Sequence, residues 1–216
     1  MYNLNELYFK KNNYVDESLC DEYIKYFEDN YDGGSEASYN IKKDAVEKIK
    51  SKVFDIRFDT NLYEKSLKIT ETIIEDYYNY LIKFNAFDIK TFIKQLKHIH
   101  SFRILKYEKG DYIHLHVDKM DHTYASFSIG LNSIDEYDGG EFCLFNSKEC
   151  FKLKKGSVLI FPASYFWTHE TKPITSGVRY VMNCFLTNVS NAHVSLLSNM
   201  PDNNIFKQPI VNEKFL

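Results

Sequence analysis

The sequence predicts one mostly β domain, with two N-terminal helices buttressing a C-terminal double-sheet β unit, a sandwich or a jelly roll. Three observations predict it. From about residue 100 the chain breaks into short runs rich in aromatic and branched residues (FRILKY, YIHLHV, TYASFSIGL, GEFCLF, FKLKK, SVLIFP, VRYVMNCFL), each bounded by turn signals. Before that point, two segments repeat apolar residues at helical spacing. No internal repeat and no Pro/Gly/Ser linker separates the two regions, and 216 residues is an ordinary size for one such domain. The expected division is helical support over 1–99, a β core over 100–188 and a polar, loop-like tail over 189–216.

The elements follow in order. After a short strand-like opening, residues 16–34 read as a helix. Asp16 or Ser18 can cap it, Leu19, Tyr23 and Phe27 form its apolar stripe, and Asp32-Gly33-Gly34 ends it. Residues 35–60 are polar and weakly patterned, a loop with some strand. A longer helix is expected over 61–84, with Leu67, Ile74, Tyr77 and Leu81 on one side. Residues 88–97 fit helix and strand equally well.

Composition narrows the function classes. A net charge of −3 gives no general attraction to phosphates, which argues against a nucleic-acid partner. No run of 18 apolar residues exists, and MYNLNELYFKKN lacks the apolar centre of a signal peptide, so the expectation is a soluble cytoplasmic protein without a membrane partner. Cys20, Cys143, Cys150 and Cys184 form no CxxC pair, which disfavours a zinc knuckle. Cys143 and Cys150 flank a short turn, yet in a reducing compartment all four are expected as reduced thiols.

The chemistry concentrates in YEKGDYIHLHVDKMDHTYASFSIGLN, residues 107–132. His114, His116 and Asp118 occupy alternate positions, so a regular strand would point all three the same way. Side chains two apart can converge on one ion, whereas His114 and Asp118, about 13 Å apart along a strand, cannot. The pair is therefore His114 with His116, or His116 with Asp118. A third element, His169, lies in another β-patterned stretch, FWTHETKPI. Two His and one carboxylate leaving three open positions is the ligand set of non-haem Fe(II) oxygenases, and only His116 with Asp118 supplies the carboxylate. Ten residues after His169 stands Arg179, with Pro173 and Thr175-Ser176-Gly177 between them. If the flanking strands pair about residue 174, positions 169 and 179 fall opposite one another. A guanidinium so placed can hold the far end of a dicarboxylate that chelates the metal, as 2-oxoglutarate does.

With these residues in place, segment 107–186 resembles the catalytic domain of Fe(II)/2-oxoglutarate-dependent dioxygenases of the prolyl 4-hydroxylase and procollagen-lysyl hydroxylase group. The text that carries the resemblance is Tyr107 and Gly110, His116-x-Asp118, Ile129-Gly130-Leu131-Asn132 and Tyr137-Asp138-Gly139-Gly140-Glu141, followed by Lys155-Gly156, Phe161-Pro162, His169 and Gly177-Val178-Arg179-Tyr180. It implies a double-stranded β-helix, a cupin-like jelly roll with the N-terminal helices packed on one sheet. It also implies Fe(II) held by His116, Asp118 and His169, with 2-oxoglutarate held by Arg179 and Tyr107, O2 as oxidant and ascorbate as accessory reductant. The Tyr-to-His spacing of nine in that family selects His116 over His114. An Arg at 179 is more like the lysyl branch, and Ile113 stands where prolyl enzymes carry a second Tyr. Asp118 implies hydroxylation, since halogenating relatives carry a small residue there. The expected substrate is a peptide or protein side chain, or a free amino acid or small metabolite. A non-catalytic jelly-roll binding module is the alternative from another class. A nucleic-acid demethylase is disfavoured because Phe185 stands where those relatives carry a second Arg.

Trp167, two before His169, and His114 are candidates for the substrate pocket wall. Gly139-Gly140 reads as turn geometry, Asn132 as a strand-end support, and His98 with His100 as structural.

Overall fold

The computed structural model describes residues 6–33, 51–84, 88–118 and 122–188; the expected loop over most of 35–60 and the tail 189–216 lie outside these. Strand β1 (Phe9–Lys11) opens the chain, followed by helix α1 (Glu17–Asn30), β2 (Lys52–Asp55), α2 (Asn61–Leu81) and the short α3 (Ile89–Lys94). The rest is β: β3 (His98–Tyr107), β4 (Ile113–His116), β5 (Thr123–Gly130), β6 (Tyr137–Gly139), β7 (Phe142–Leu144) and β8 (Glu149–Phe151). Then come β9 (Val158–Pro162), β10 (His169–Thr171), β11 (Ile174–Gly177) and β12 (Arg179–Thr187). A six-stranded sheet runs β1-β9-β5-β12-β3-β2, a four-stranded sheet β4-β10-β7-β8, and β11 pairs with β6. This is the expected double-sheet, jelly-roll architecture.

Asp16 caps α1 by accepting from the Ser18 amide. The helix stops at Asn30, short of the Asp-Gly-Gly signal, where the Tyr31 amide closes on the Phe27 carbonyl. The end of α2 tightens into i→i+3 bonds (Phe84 amide to Leu81 carbonyl), which ends the regular helix three residues before the apolar pattern fades. Residues 88–97 resolve as α3, capped by Asp88, followed by a turn.

Alternation builds the molecule. Along β3, Phe102 and Ile104 join the large core with Tyr23, Phe27, Ile74 and Tyr77 of the helices. Between them Arg103, Leu105 and Tyr107 face the space between the sheets. Strand β12 does the same, with Met182 and Leu186 toward the helices and Arg179, Val181, Asn183 and Phe185 toward the interior. The helices thus cover one face of the large sheet and leave the other to form a cavity with the four-stranded sheet.

Two expectations are corrected. Cys143 and Cys150 are directly opposite in the β7–β8 hairpin, with Cα atoms 4.1 Å apart, and are joined as a disulfide rather than held as reduced thiols. Cross-strand neighbours at this spacing are within reach of one another, and the hairpin register alone decides it. The segment 169–179 is also not a simple hairpin. Strand β10 pairs with β4 and β7, β11 with β6, and β12 with β3 and β5, so His169 and Arg179 lie in different sheets. Pro173 and Gly177, the latter at φ +73°, turn the chain from one sheet to the other.

Candidate metal centre and anion pocket

Register on the small sheet sets His169 directly opposite His116 and Thr171 opposite Ile113. Two residues on β10 therefore span three on β4, a β-bulge. It breaks the alternation, so Ile113 and His116 both line the cavity although they are three apart. His114 does not line it; its ring stacks edge-on with Tyr112 at 4.7 Å. The expectation that His114, His116 and Asp118 share one face fails for this reason, and His114 is not among the described residues lining this cavity.

His116, Asp118 and His169 converge, with one potential ligand atom from each and all three within 4.8 Å of one another. Asp118 uses both oxygens: Oδ1 is 3.4 Å from His116 Nε2 and Oδ2 is 3.4 Å from His169 Nε2. Those separations are long for hydrogen bonds but suit neighbouring ligands around one ion whose bonds are about 2.1 Å. Both imidazoles are oriented from behind. Nδ1 of His116 donates to the His114 carbonyl at 2.7 Å, and Nδ1 of His169 to the Trp167 carbonyl at 3.0 Å. A carbonyl only accepts, so Nδ1 carries a proton in each ring and Nε2 is the atom turned to the centre. Burial alone would raise the Asp118 carboxyl, but the His169 and His116 rings beside it hold it well below the carboxylate range. Burial likewise pushes the His169 ring down, and Asp118 more than reverses it. The cluster is built to hold a positive charge at its centre. The donor set fits Fe(II).

Arg179 lies across the cavity, 3% exposed, with its guanidinium carbon 4.9 Å over the Tyr107 ring and its backbone paired with Tyr107. Its Nη1 is buried without a hydrogen-bond partner. Burial raises the Tyr107 and Tyr137 phenols, and the Arg179 charge near both partly offsets this. A buried cation with an unused donor is costly unless an anion completes it, so the pocket fits a carboxylate. Gly140 makes room for it, since a Cβ there would lie 3.2 Å from Arg179 Cδ and 2.4 Å from Ile174 Cδ1.

Trp167 is not at the cavity wall. Strand β10 begins only at His169, and the Trp167 ring sits in a small core cluster, stacked on Phe161 at 5.9 Å and edge-on to Tyr8 at 6.4 Å. Asn132 is structural, donating to the Val178 carbonyl and accepting from the Tyr180 amide, each at 2.8 Å. The structure adds Thr171, Tyr137, Ser126 and Arg103 to the site's surroundings. Arg103 had a signal in the sequence, since it alternates with Leu105 and Tyr107 on one strand.

Residues 102–187 match the family model described as the 2OG-Fe(II) oxygenase superfamily. A PKHD-type hydroxylase of Synechococcus sp. (strain JA-2-3B'a(2-13)) is 34% identical over 94 residues, 39% of this chain and 41% of its own length. The chain thus spans well under half the length of that curated relative. Among solved structures, the viral collagen prolyl hydroxylase of Paramecium bursaria Chlorella virus-1, in its 2OG complex, superposes with TM-score 0.60 at 17% identity, covering 85% of this chain and 97% of that one. A Trichoplax adhaerens prolyl hydroxylase in complex with a hypoxia inducible factor peptide fragment gives TM-score 0.61 at 17% identity, covering 86% of each chain.

Proposed function

Taking residues 102–187 as a segment of the 2OG-Fe(II) oxygenase superfamily, we propose that this chain is an Fe(II)- and 2-oxoglutarate-dependent dioxygenase. It hydroxylates an unactivated C–H bond of an amino-acid side chain in a peptide or protein. One atom of O2 enters that bond and the other enters succinate, with CO2 released. The observation that carries this reading is one cavity holding both the His116–Asp118–His169 cluster and the unpartnered Nη1 of buried Arg179.

Bound Fe(II), with 2-oxoglutarate and O2, supplies the oxidising chemistry. His116 Nε2, His169 Nε2 and an Asp118 oxygen hold the metal, and the His114 and Trp167 carbonyls fix the two ring orientations. Arg179 takes the far carboxylate of the co-substrate, with Tyr107 beneath the guanidinium to set its direction. The rings of Phe142 and Phe161, 5.3 and 5.0 Å from that of His169, exclude water from that side. The peptide complex of the Trichoplax structure supports a peptide or protein substrate. A succinate-release screen over peptides and free amino acids, with mass spectrometry for a gain of one oxygen, tests the reading. Metal binding without 2-oxoglutarate consumption on any candidate would favour a binding module instead.

A further inference from the structure

The cavity holds a second guanidinium, that of Arg103. Arg103 lies four residues from Tyr107 on β3 and directly opposite Asn183, itself four residues from Arg179 on β12. The two arginines therefore stand about 13 Å apart along the strands. Arg103 Nε is buried without a hydrogen-bond partner, and its guanidinium carbon sits 4.4 Å over the Phe185 ring. Asp55 stands opposite it on β2 and feels the Arg103 charge, yet Arg103 Nε remains without a hydrogen-bond partner. Ser126, paired with Phe185 and lining the same cavity, has a buried hydroxyl that also lacks a partner.

The metal-binding cluster lines the same cavity as the two arginines. Toward one end, Thr171 of β10 reaches the Tyr107 phenol beside Arg179. Toward the other, the Phe161 ring packs on His169 at 5.0 Å, and Phe161 pairs with Ser126. On the proposed function, a dicarboxylate co-substrate would be held by Arg179 and the metal cluster. There remain a guanidinium and a hydroxyl with unused donors. Their chemistry matches a carboxylate, which accepts from both.

We infer that Arg103, with Ser126, binds a carboxylate carried by the substrate and so sets which C–H bond faces the metal. This inference rests on the proposed function above. The carboxylate can belong to a free amino acid or to an acidic residue of a peptide, and Arg103 acts as a specificity determinant for either.

The test is calorimetric and needs no turnover. The chain is loaded with Mn(II) under argon, saturated with N-oxalylglycine to occupy the Arg179 end, and titrated with matched probes. These are L-proline and L-lysine against their amides, and capped peptides carrying Asp or Glu against the same peptides with Asn or Gln. At least one carboxylate probe should bind the wild type more tightly than its amide, and the pair that does so identifies the source. In R103Q that probe should weaken about thirtyfold or more, the lower end for losing one partner of a desolvated charge pair. R103K should recover part of it, S126A should weaken it less, and N-oxalylglycine affinity should stay unchanged in all three. The inference is overturned if no pair discriminates, or if R103Q keeps the preference. It is also overturned if R103Q weakens N-oxalylglycine itself, which would assign Arg103 to the co-substrate. A wild-type chain with no Mn(II)-dependent N-oxalylglycine binding would overturn the proposed function and this inference together, a result distinct from the others.

Discussion

The cavity separates two charge problems among a few residues. His116, Asp118 and His169 surround a centre that favours a cation, while Arg179 presents a buried cation that favours an anion. Replacing His116 or Asp118 with Ala should each abolish iron-dependent turnover, because either loss leaves two of three ligands. His114→Ala should keep the metal and much of the activity, since only its backbone carbonyl serves the site. Metal content by elemental analysis checks this; iron lost in H114A but kept in D118A would refute the ligand set. Arg179→Ala should raise the 2-oxoglutarate requirement steeply with iron binding nearly intact, as losing one partner of a buried charge pair costs about 2–5 kcal/mol. Lys at 179 should be milder, keeping the charge and losing the fork geometry. Unaltered 2-oxoglutarate dependence in R179A would remove the arginine from the site.

At the scale of elements, turns and bulges aim these side chains. The extra residue in β4 turns His114 away and His116 inward against β10. The turn after β6 depends on Gly140, at φ +67°, where a methyl would also press on Ile174 and Arg179. Gly140→Ala should destabilise the chain by about 1–3 kcal/mol from backbone strain. It should also weaken 2-oxoglutarate binding, while a variant with normal affinity would separate the turn from the pocket. The β7–β8 hairpin gives a thiol count. Cys20 and Cys184 are fully buried, and burial pushes the Cys20 thiol up to about 11 and the Cys184 thiol well above its ordinary value. Native protein at pH 8 should therefore resist a thiol reagent. Denaturation without reductant should expose two thiols, and reduction should add two more. Four thiols without reduction would contradict the Cys143–Cys150 bond.

For the whole molecule, the site lies between two sheets, so filling it ties them together. A ligand that binds only the folded state at a hundred times its dissociation constant adds about 2.7 kcal/mol. For a chain of this size that is a rise of about 5–11 °C in the unfolding midpoint. Mn(II) with N-oxalylglycine should produce such a shift in the wild type, Mn(II) alone a smaller one, and H116A neither. An equal shift in H116A would place the metal elsewhere. Among the described residues no helix is long and apolar enough to cross a membrane.

The sequence by itself determined the type of each long element, the mostly β double-sheet class and the residue types that meet in the candidate site. Helical spacing at Tyr23 and Phe27 and alternation through 102–107 and 179–187 are local patterns that burial of one face imposes on any such chain. The candidate cluster of His116, Asp118 and His169 was legible because iron chemistry demands a carboxylate, which selects Asp118 over His114 whatever their geometry. Only the tertiary structure decided how these residues meet. A β-bulge adds one residue without changing local composition, so the inversion at His114 leaves no trace in the pattern. His169 and Arg179 approach across facing sheets, not along a hairpin, and sheet pairing is a long-range property. Trp167 fell into the core because its strand begins two residues later than alternation suggested. Arg103 became notable only when packing buried its Nε and left it without a partner, because burial depends on which distant strands cover a residue.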